Sequence, residues 1–361
     1  MGSILAVYGT RPELIKMAPL ILALKKKGEA VKVLNTGQHR DMLVELEHLF
    51  GIFPDFSFDV MKANQDVNHV VSKIIVKVSI LLKEESISLV IVQGDTATVL
   101  ATAMAAYYSK VKIAHVEAGL RSFDMDHPFP EEFNRRVVSM IADYNFAPTE
   151  QSYQNLIKEK VDQAKVFITG NTVIDALSIL KNKLKRGESD KKKILVTAHR
   201  RENHEVGIRN ICQAILRILE ERNDVEFVWP VHPNPNVKDT VYSLLSNRES
   251  VVLCEPLGYL ELLSTMNDSY MIWTDSGGIQ EEAPSFKKPV LILREVTERP
   301  EVVASGFGVL VGTDISEIVK QTIKLLNSSE LYAKQISGDN PFGDGNSSQK
   351  IIEIIEKAKN D

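Results

Sequence analysis

Short apolar segments alternate with longer amphipathic segments along most of this chain. The apolar segments are nearly continuous in valine, isoleucine and leucine, which is typical of strands buried on both faces of a parallel sheet. The first half predicts strands at 4–8, 31–36, 89–94, 112–117, 144–148 and 166–170. The second half predicts strands at 193–199, 226–232, 251–256, 270–275, 289–294 and 308–312. Helical periodicity fills the gaps, for example at 13–27, 96–108 and 208–222, so the pattern predicts a doubly wound α/β fold.

One segment, 181–193, breaks this rhythm with charged residues and no apolar periodicity. The chain has 361 residues, and at roughly 100–200 residues per domain this length favours two domains. We therefore expect two Rossmann-like domains, 1–175 and 176–346, facing a central cleft. The amphipathic helix predicted at 347–361 is expected to pack back on the first domain.

Composition narrows the class of protein. The chain is 44% apolar and 25% charged, as in ordinary globular proteins. A net charge of −5 with scattered basic residues argues against a nucleic-acid surface. No apolar run approaches the length of a membrane span, and no signal peptide is indicated. Cys212 and Cys254 lie far apart and outside any metal-ligand spacing, which favours a reducing, cytoplasmic location without a metal.

Titratable and small residues concentrate where the predicted strands end. These strand ends are Gly9–Glu13, Gly94–Thr96, His115–Gly119, His199–Glu202, His232–Pro233 and Asp275–Gly278. Ligands of open α/β sheets bind beyond the carboxyl ends of the strands, and buried charge is costly unless it is paired or used. The pattern therefore indicates an enzyme that binds a nucleotide diphosphate-sugar.

Two of these strand ends resemble anion sites. Ser276, Gly277 and Gly278 join a strand to a helix, which suits a diphosphate, and Glu282 follows where it can accept from a ribose diol. A simple glycine-rich helix cap is the alternative. The chain has neither a lysine after these glycines nor a GxGxxG motif, so ATP hydrolysis and a dinucleotide cofactor are disfavoured. At the first strand, the free amides after Gly9, with Arg11, predict a second anion site, with Lys16 one turn later; an ordinary strand–helix turn fits equally well.

The acidic pair Glu131 and Glu132 begins a predicted helix. Arg135 and Arg136 follow, and for Glu132 and Arg136 the spacing favours an i,i+4 ion pair. The histidines and carboxylates of the chain show no metal-binding spacing.

Taken together, the motifs resemble the non-hydrolysing UDP-N-acetylglucosamine 2-epimerases. They are GTRPE, TGQHR, HVEAGLRS, PFPEE, FITGNTVIDAL, TAHRREN, PVHPNPNV, TDSGGIQEEAPS and TERPE, and they span the chain from Gly9 to about Gly345. The resemblance implies a glycosyltransferase-B-type fold. It also implies reversible conversion of UDP-N-acetylglucosamine (UDP-GlcNAc) to UDP-N-acetylmannosamine (UDP-ManNAc) for surface polysaccharide or glycan synthesis, without a cofactor.

The resemblance also implies roles for individual residues. Asp95, Glu117 and Glu131 surround the sugar and His199 contacts the diphosphate, so these four are the expected catalytic residues. The expected substrate-binding residues are Arg11, Lys16, His199, Ser276, Gly277, Gly278, Glu282 and Arg299. We expect Asp95 and Glu131 to transfer the protons and Glu117 to support them.

Bacterial members of this kind can carry a second, activating UDP-GlcNAc. Its implied site here comprises Gln38, His39 and His232, although Asp41 and Asn64 stand where such members carry Gln and Arg. The resemblance further implies a homodimer. Three alternatives stay open: a UDP-sugar glycosyltransferase of the same fold, a hydrolysing epimerase, and a non-catalytic nucleotide-sugar sensor. Three carboxylates at the sugar argue against a sensor, because binding alone does not require so much like charge.

Overall fold

A computed structural model describes residues 2–38, 40–61, 66–185, 187, 190–200 and 203–360. The chain divides into two compact units, one of residues 1–179 and 342–361 and the other of residues 180–341. Unit 1 is therefore discontinuous in sequence, and unit 2 is a single stretch of chain.

Unit 1 is built on a parallel sheet. Within the described residues its strands are β1 (Ser3–Tyr8), β2 (Val31–Asn35), β3 (Phe56–Ser57), β4 (Ile87–Gln93), β5 (Lys112–Val116), β6 (Tyr144–Ala147) and β7 (Val166–Ile168). They are ordered β3-β2-β1-β4-β5-β6-β7, and every pair is parallel. The sequence did not predict β3, because this two-residue strand is only half-buried at Phe56 and exposed at Ser57.

Helices connect these strands. They are α1 (Arg11–Lys26), α2 (Arg40–Phe50), α3 (Val67–Glu84), α4 (Ala97–Tyr108), α5 (Glu131–Ile141), α6 (Glu150–Lys158) and α7 (Thr172–Leu180). The core beneath α3 and α4 is rich in alanine and valine, for example Val78, Val99 and Ala103. Small side chains let these helices lie close to the sheet and to each other.

Unit 2 repeats the arrangement. Its strands are β8 (Lys192–Thr197), β9 (Val225–Pro230), β10 (Val251–Cys254), β11 (Met271–Thr274), β12 (Val290–Ile292) and β13 (Gly308–Leu310), in the order β10-β9-β8-β11-β12-β13. Its helices are α8 (Val206–Glu221), α9 (Pro235–Leu245), α10 (Tyr259–Asp268), α11 (Gly277–Glu282), α12 (Pro300–Ala304), α13 (Ile315–Asn327) and α14 (Ser329–Gln335). Phe227, Trp229 and Trp273 lie fully buried in its core.

The last helix, α15 (Ser347–Asn360), returns to unit 1 and packs against α1. Asp175 of α7 accepts hydrogen bonds from the backbone amides of Ser347, at 3.1 Å, and Ser348, at 2.7 Å. Lys27 forms an ion pair with Glu356 at 2.8 Å. A buried carboxylate at the first turn of a helix satisfies amides that have no partner within the helix.

Both sheets reverse their strand order once, between β1 and β4 in unit 1 and between β8 and β11 in unit 2. This arrangement is the doubly wound α/β fold, so the predicted fold class is confirmed. Each of the twelve predicted apolar segments contains a strand. The switch points identify where ligand-binding residues are expected in each unit. Within the described residues, no helix has the length and apolarity that a bilayer crossing requires.

Candidate active site

The turn from β1 to α1 in unit 1 is occupied by a side chain of its own helix. The carboxylate of Glu13 accepts from the amide of Gly9 at 2.5 Å, from that of Thr10 at 3.2 Å, and from the hydroxyl of Thr96. Glu13 therefore folds back onto these two amides, as in an ordinary strand–helix turn, and the anion site at the start of α1 stays a prediction. Arg11 is exposed at the first position of α1. Burial raises the pKa of Glu13 to about 7.

Gly9 is required by packing within the unit. A Cβ atom there would lie 2.2 Å from Thr36 Oγ1 and 2.4 Å from Thr98 Oγ1. The two hydroxyls are 2.9 Å apart, and that of Thr98 donates to Gln38 Oε1 at 2.8 Å. Gln38 is thus held against the first turn of α4.

Lys16 and Glu117 come together at the end of β5. Glu117 has a left-handed backbone (φ 65°), which turns the chain sharply after the strand. Its Oε2 accepts from the Lys16 ammonium and from Asn171 Nδ2, the latter at 3.0 Å. Both charged side chains are only 9% exposed. The ammonium and the amide offset the cost of burying this carboxylate.

Asp95 follows the neighbouring strand and also has a cationic partner. The amide of Gly94 donates to the carbonyl of Val116 at 3.0 Å, so the ends of β4 and β5 lie side by side. Arg135 Nη2 lies 2.8 Å from Asp95 Oδ2, and Asn134 Nδ2 donates to the Asp95 carbonyl at 2.8 Å. The start of α5 is therefore fixed against Asp95.

Glu131 is half-buried at the first position of α5, one turn before Arg135. The predicted ion pair between Glu132 and Arg136 is wrong. Glu132 is fully buried and accepts from the Ser122 amide at 3.0 Å, whereas Arg136 pairs with Glu159 at 3.1 Å. The two positions lie on the same side of the helix, but Glu132 is held in the core by the Ser122 amide and Arg136 is drawn to Glu159.

In unit 2, His199 and Asp275 meet across the switch point between β8 and β11. Asp275 is fully buried, and its Oδ2 accepts from the amides of His199 and Arg200, both at 2.8 Å, and from Asn203 Nδ2 at 3.0 Å. The imidazole Nδ1 of His199 lies 3.3 Å from Asp275 Oδ1. The His199 ring stacks on that of His232, with 5.7 Å between centroids.

The Ser276–Gly278 turn lies beside Arg299. Ser276 is the N-cap residue of α11, and Gly277 and Gly278 begin that helix. A Cβ atom on Gly277 would lie 3.5 Å from the guanidinium carbon of Arg299. Arg299 Nε contacts the fully buried Glu281 Oε1 at 2.5 Å. Glu281 thus holds the guanidinium beside the glycines.

Glu282 is buried at the end of α11, and its Oε1 accepts from the Tyr259 hydroxyl at 2.8 Å. Burial and the neighbouring Glu282 carboxylate raise the pKa of Tyr259 well above its ordinary value. The phenol therefore stays protonated and donates to Glu282.

Similarity to known proteins identifies the family of this chain. The sequence model of the UDP-N-acetylglucosamine 2-epimerases matches residues 22–356. The chain belongs to this family. A family member from Campylobacter jejuni, named UDP-N-acetylglucosamine 2-epimerase, is 44% identical, and the match covers 99% of this chain and 98% of that protein. One with the same name from Escherichia coli K12 is 44% identical, with 98% of each chain covered.

Solved structures of epimerases agree with the fold. The Neisseria meningitidis UDP-GlcNAc 2-epimerase bound to UDP-GlcNAc matches with a TM-score of 0.92 and 44% identity, covering 98% of this chain and 100% of that one. The Methanocaldococcus jannaschii UDP-GlcNAc 2-epimerase in complex with UDP-GlcNAc and UDP gives 0.83 and 34%, covering 98% and 99%. The predicted family is thereby confirmed. The roles of individual residues stay predictions.

The sequence prediction gave no role to several residues that contact the predicted site residues or the backbone beside them. They are Glu13, Arg135, Asn171, Tyr259, Asp275 and Glu281. All except Tyr259 lie within the quoted motifs or next to them, so their presence was visible but their function was not. Each acts on another site residue or on its backbone, and such pairing is set by tertiary structure.

The implied second site is only partly described. Gln38 bonds Thr98 within unit 1, and the Asn234 amide donates to His232 Nδ1 at 3.2 Å within unit 2. His39 and Asn64 lie outside the described residues, as does the side chain of Asp41. Activation by a second UDP-GlcNAc stays a prediction.

Proposed function

We propose that this protein interconverts UDP-GlcNAc and UDP-ManNAc by inverting C2 of the sugar. Membership of the epimerase family supports the proposal, as does the Neisseria meningitidis relative, whose solved structure contains UDP-GlcNAc. The observation that carries it is the pair of charge contacts at adjacent strand ends, Lys16 with Glu117 and Arg135 with Asp95. They provide two ordered carboxylates, Asp95 for proton transfer and Glu117 for stabilising developing positive charge.

Inversion at C2 requires an indirect route. The C2 proton is not acidic in the substrate, because no carbonyl is attached to that carbon. Anti elimination solves this: the bond from C1 to the diphosphate oxygen breaks while a base removes the C2 proton. The products are UDP and 2-acetamidoglucal. UDP then adds back to C1 while a proton reaches C2 from the opposite face, which gives the epimer.

In this route the three carboxylates have different roles. We assign proton transfer at C2 to Asp95 and Glu131, whose two positions would serve the two faces of the sugar. Glu117, fixed by Lys16 and Asn171, supports the cation-like C1 that develops as the bond breaks. Placing Glu117 opposite a buried ammonium limits its freedom to move, which favours an electrostatic role over proton transfer.

The nucleotide is assigned mainly to residues of unit 2. His199, Ser276, Gly277 and Gly278 would bind the diphosphate, with Arg299 beside the glycines and Glu282 on the ribose hydroxyls. Arg11 of unit 1 would add a cation to the diphosphate, because its guanidinium is exposed and able to bind bidentately. Stabilising the leaving diphosphate lowers the barrier to C1–O cleavage.

The decisive test is an assay with UDP-GlcNAc as the sole sugar substrate in D2O. We expect UDP-ManNAc to form without any acceptor and to carry deuterium at C2. Epimerisation without deuterium incorporation contradicts the elimination route. Release of UDP only in the presence of an acceptor would indicate a glycosyltransferase, and release of free N-acetylmannosamine a hydrolysing epimerase.

The same assay tests the carboxylates. Asp95→Asn and Glu131→Gln are each expected to lower kcat by about 10²- to 10⁴-fold, the usual contribution of a general acid or base. The Kd for UDP should change only a few-fold. Glu150→Gln is the matched control, since Glu150 is an exposed carboxylate at the first turn of α6, and it should retain full turnover. Full activity of both test variants would remove the assignment.

We further propose that the protein is a homodimer formed through α3, α4 and α5 of unit 1. These neighbouring helices expose Val76, Ile80, Tyr108 and Met140, of which Tyr108 and Met140 are each 72% exposed. Apolar residues grouped in this way are typical of protein interfaces. Light scattering should give twice the monomer mass, and Met140→Glu should reduce it; a monomeric wild type contradicts the proposal.

We place the protein in the cytoplasm. Cys212 and Cys254 are both free thiols, as is usual for proteins of a reducing compartment. Fractionation of the source cells, with detection of the native chain, tests this location.

A further inference from the structure

The carboxylate of Asp275 is fixed from one side by three donors. Its Oδ2 accepts from two successive backbone amides, those of His199 and Arg200, and from the side chain of Asn203. Asn203 is itself held by a second hydrogen bond to the Leu293 carbonyl at 3.1 Å. The orientation of the carboxylate is therefore fixed by the backbone after β8 and by Asn203.

The second oxygen, Oδ1, faces the imidazole of His199. Oδ1 is completely buried, and among the described residues no donor meets hydrogen-bond geometry with it. His199 Nδ1 lies 3.3 Å away. A buried carboxylate oxygen without a donor is costly, so a proton on the nearby Nδ1 is favoured over a proton on Nε2.

The two ring nitrogens of His199 lie on different sides of the imidazole relative to Asp275. Its side chain is 45% exposed although Nδ1 lies against a fully buried carboxylate. Nε2, on the opposite side of the ring, therefore faces away from Asp275. The two ring nitrogens are chemically distinct, and the hydrogen bond at one sets the proton at the other.

We propose that Asp275 is a positioning residue for His199. It keeps a proton on Nδ1, fixes the plane of the ring and leaves Nε2 as the nitrogen that contacts the ligand. Resting on the proposed function, Nε2 is then the atom that meets the leaving diphosphate. Asp275 itself does not touch the substrate.

The stacked partner, His232, supplies an internal comparison. The Asn234 amide donates to its Nδ1 at 3.2 Å, so a neutral His232 must carry its proton on Nε2. Two stacked imidazoles are thus expected to be opposite tautomers. This contrast follows from the two local hydrogen-bond networks and needs no assumption about activity.

The test is to read the tautomers by long-range proton–nitrogen NMR on the ¹⁵N-labelled full chain. His199→Gln and His232→Gln assign the two sets of signals. We expect His199 as the Nδ1–H form and His232 as the Nε2–H form. A wild-type His199 in the Nε2–H form would overturn the proposal without any variant of Asp275.

The variant Asp275→Asn should shift His199 towards the Nε2–H form and leave His232 unchanged. Asp175→Asn is the matched control: Asp175 is also a buried carboxylate that accepts from two successive backbone amides, but it lies in unit 1. It should leave both tautomers unchanged. An unaltered His199 in folded Asp275→Asn, checked by circular dichroism, contradicts a positioning role.

Kinetics then connect the pair to the reaction. In metal sites, loss of a residue that orients a histidine ligand typically costs 10- to 100-fold, and we take this factor as the guide here. We expect Asp275→Asn to lower kcat by about this factor while KM changes only a few-fold, because the ring remains present but is wrongly oriented. An unchanged kcat would contradict the claim that the orientation of His199 by Asp275 contributes to the reaction. If the wild type does not epimerise, the proposed function fails, but the tautomers still decide the positioning of His199.

Discussion

At the scale of single residues, Glu13 is the most consequential side chain that sequence reasoning left without a role. It joins the end of β1 to the start of α4 by accepting from Gly9, Thr10 and Thr96, and all three of these donors are uncharged. Burial raises its pKa to about 7 from an ordinary 4.5. The folded protein therefore holds this proton more tightly than the unfolded chain does.

Glu13→Gln tests this prediction through the pH dependence of stability. A raised pKa means that the contribution of Glu13 is fully present below about pH 4.5 and is lost as the pH rises through about 7. From this shift the loss is on the order of 3 kcal/mol. Glutamine does not ionise and has no such loss. The free energy of unfolding of the variant, measured by urea unfolding, should therefore rise relative to that of the wild type by about that amount between pH 4.5 and 7.5. Parallel stability curves would contradict the prediction.

The pH dependence of the free energy of unfolding must be compared as a difference between variant and wild type. The reason is that ionisation of His115 changes the stability of the wild type in the opposite direction. Burial lowers the pKa of His115 to about 4, and its Nε2 lies 2.8 Å from the Gly94 carbonyl. Its stabilising contribution is present above about pH 6.5 and is lost as the pH falls through 4. Between about pH 4.5 and 6.5 the two groups oppose each other, which flattens the wild-type curve.

At the scale of secondary structure, attachment of α15 depends on one carboxylate. Asp175 accepts from the first two amides of the helix, Ser347 and Ser348. Asp175→Ala should cost about 1–2 kcal/mol, as for loss of a helix cap, and should lower hydrogen-exchange protection selectively in α15.

Asp314→Ala provides the matched control for that experiment. Asp314 caps α13 in unit 2, where it accepts from the Glu317 amide at 2.8 Å. Its removal should lower protection in α13 and leave α15 unchanged. Equal protection of α15 in wild type and Asp175→Ala would show that packing on α1 alone holds the helix.

Secondary structure was predictable from the sequence because a long strand that is buried on both faces requires a continuous apolar segment. That signal is lost for β3, where Phe56 is half-buried and Ser57 exposed. The site was predictable only in part. Parallel strands bring their ends together, so Asp95 and Glu117 could be grouped, but the choice of Arg135 as partner for Asp95 could not. It depends on how α5 is oriented against the end of β4. Glu132 and Arg136 are separated by their tertiary partners, the Ser122 amide and Glu159, which the spacing of the sequence does not show.

At the scale of the whole molecule, each unit has a core of its own. The core of unit 2 draws its buried residues from Ile194 to Leu326, entirely within 180–341. Unit 1 instead needs the chain to return after residue 341, because Phe342 accepts from the Asn171 amide at 2.7 Å and α15 packs on α1. We predict that the fragment 180–341 unfolds cooperatively by circular dichroism, whereas the fragment 1–179 is markedly less stable than unit 1 in the full chain.

The fragment 180–341 also separates the two tasks that the proposed function assigns. It contains His199, Ser276–Gly278, Glu282 and Arg299 but none of Asp95, Glu117 and Glu131. By calorimetry its Kd for UDP should exceed that of the full chain by no more than about 10- to 150-fold, since Arg11 is the single assigned nucleotide contact it lacks and one charge-assisted bond is worth about 1.5–3 kcal/mol. Glu282→Gln in the fragment should weaken UDP binding, and the fragment should not epimerise. A folded fragment with no affinity for UDP would indicate that UDP binding requires unit 1. It would contradict the assignment of the nucleotide to unit 2, even if the full chain epimerises.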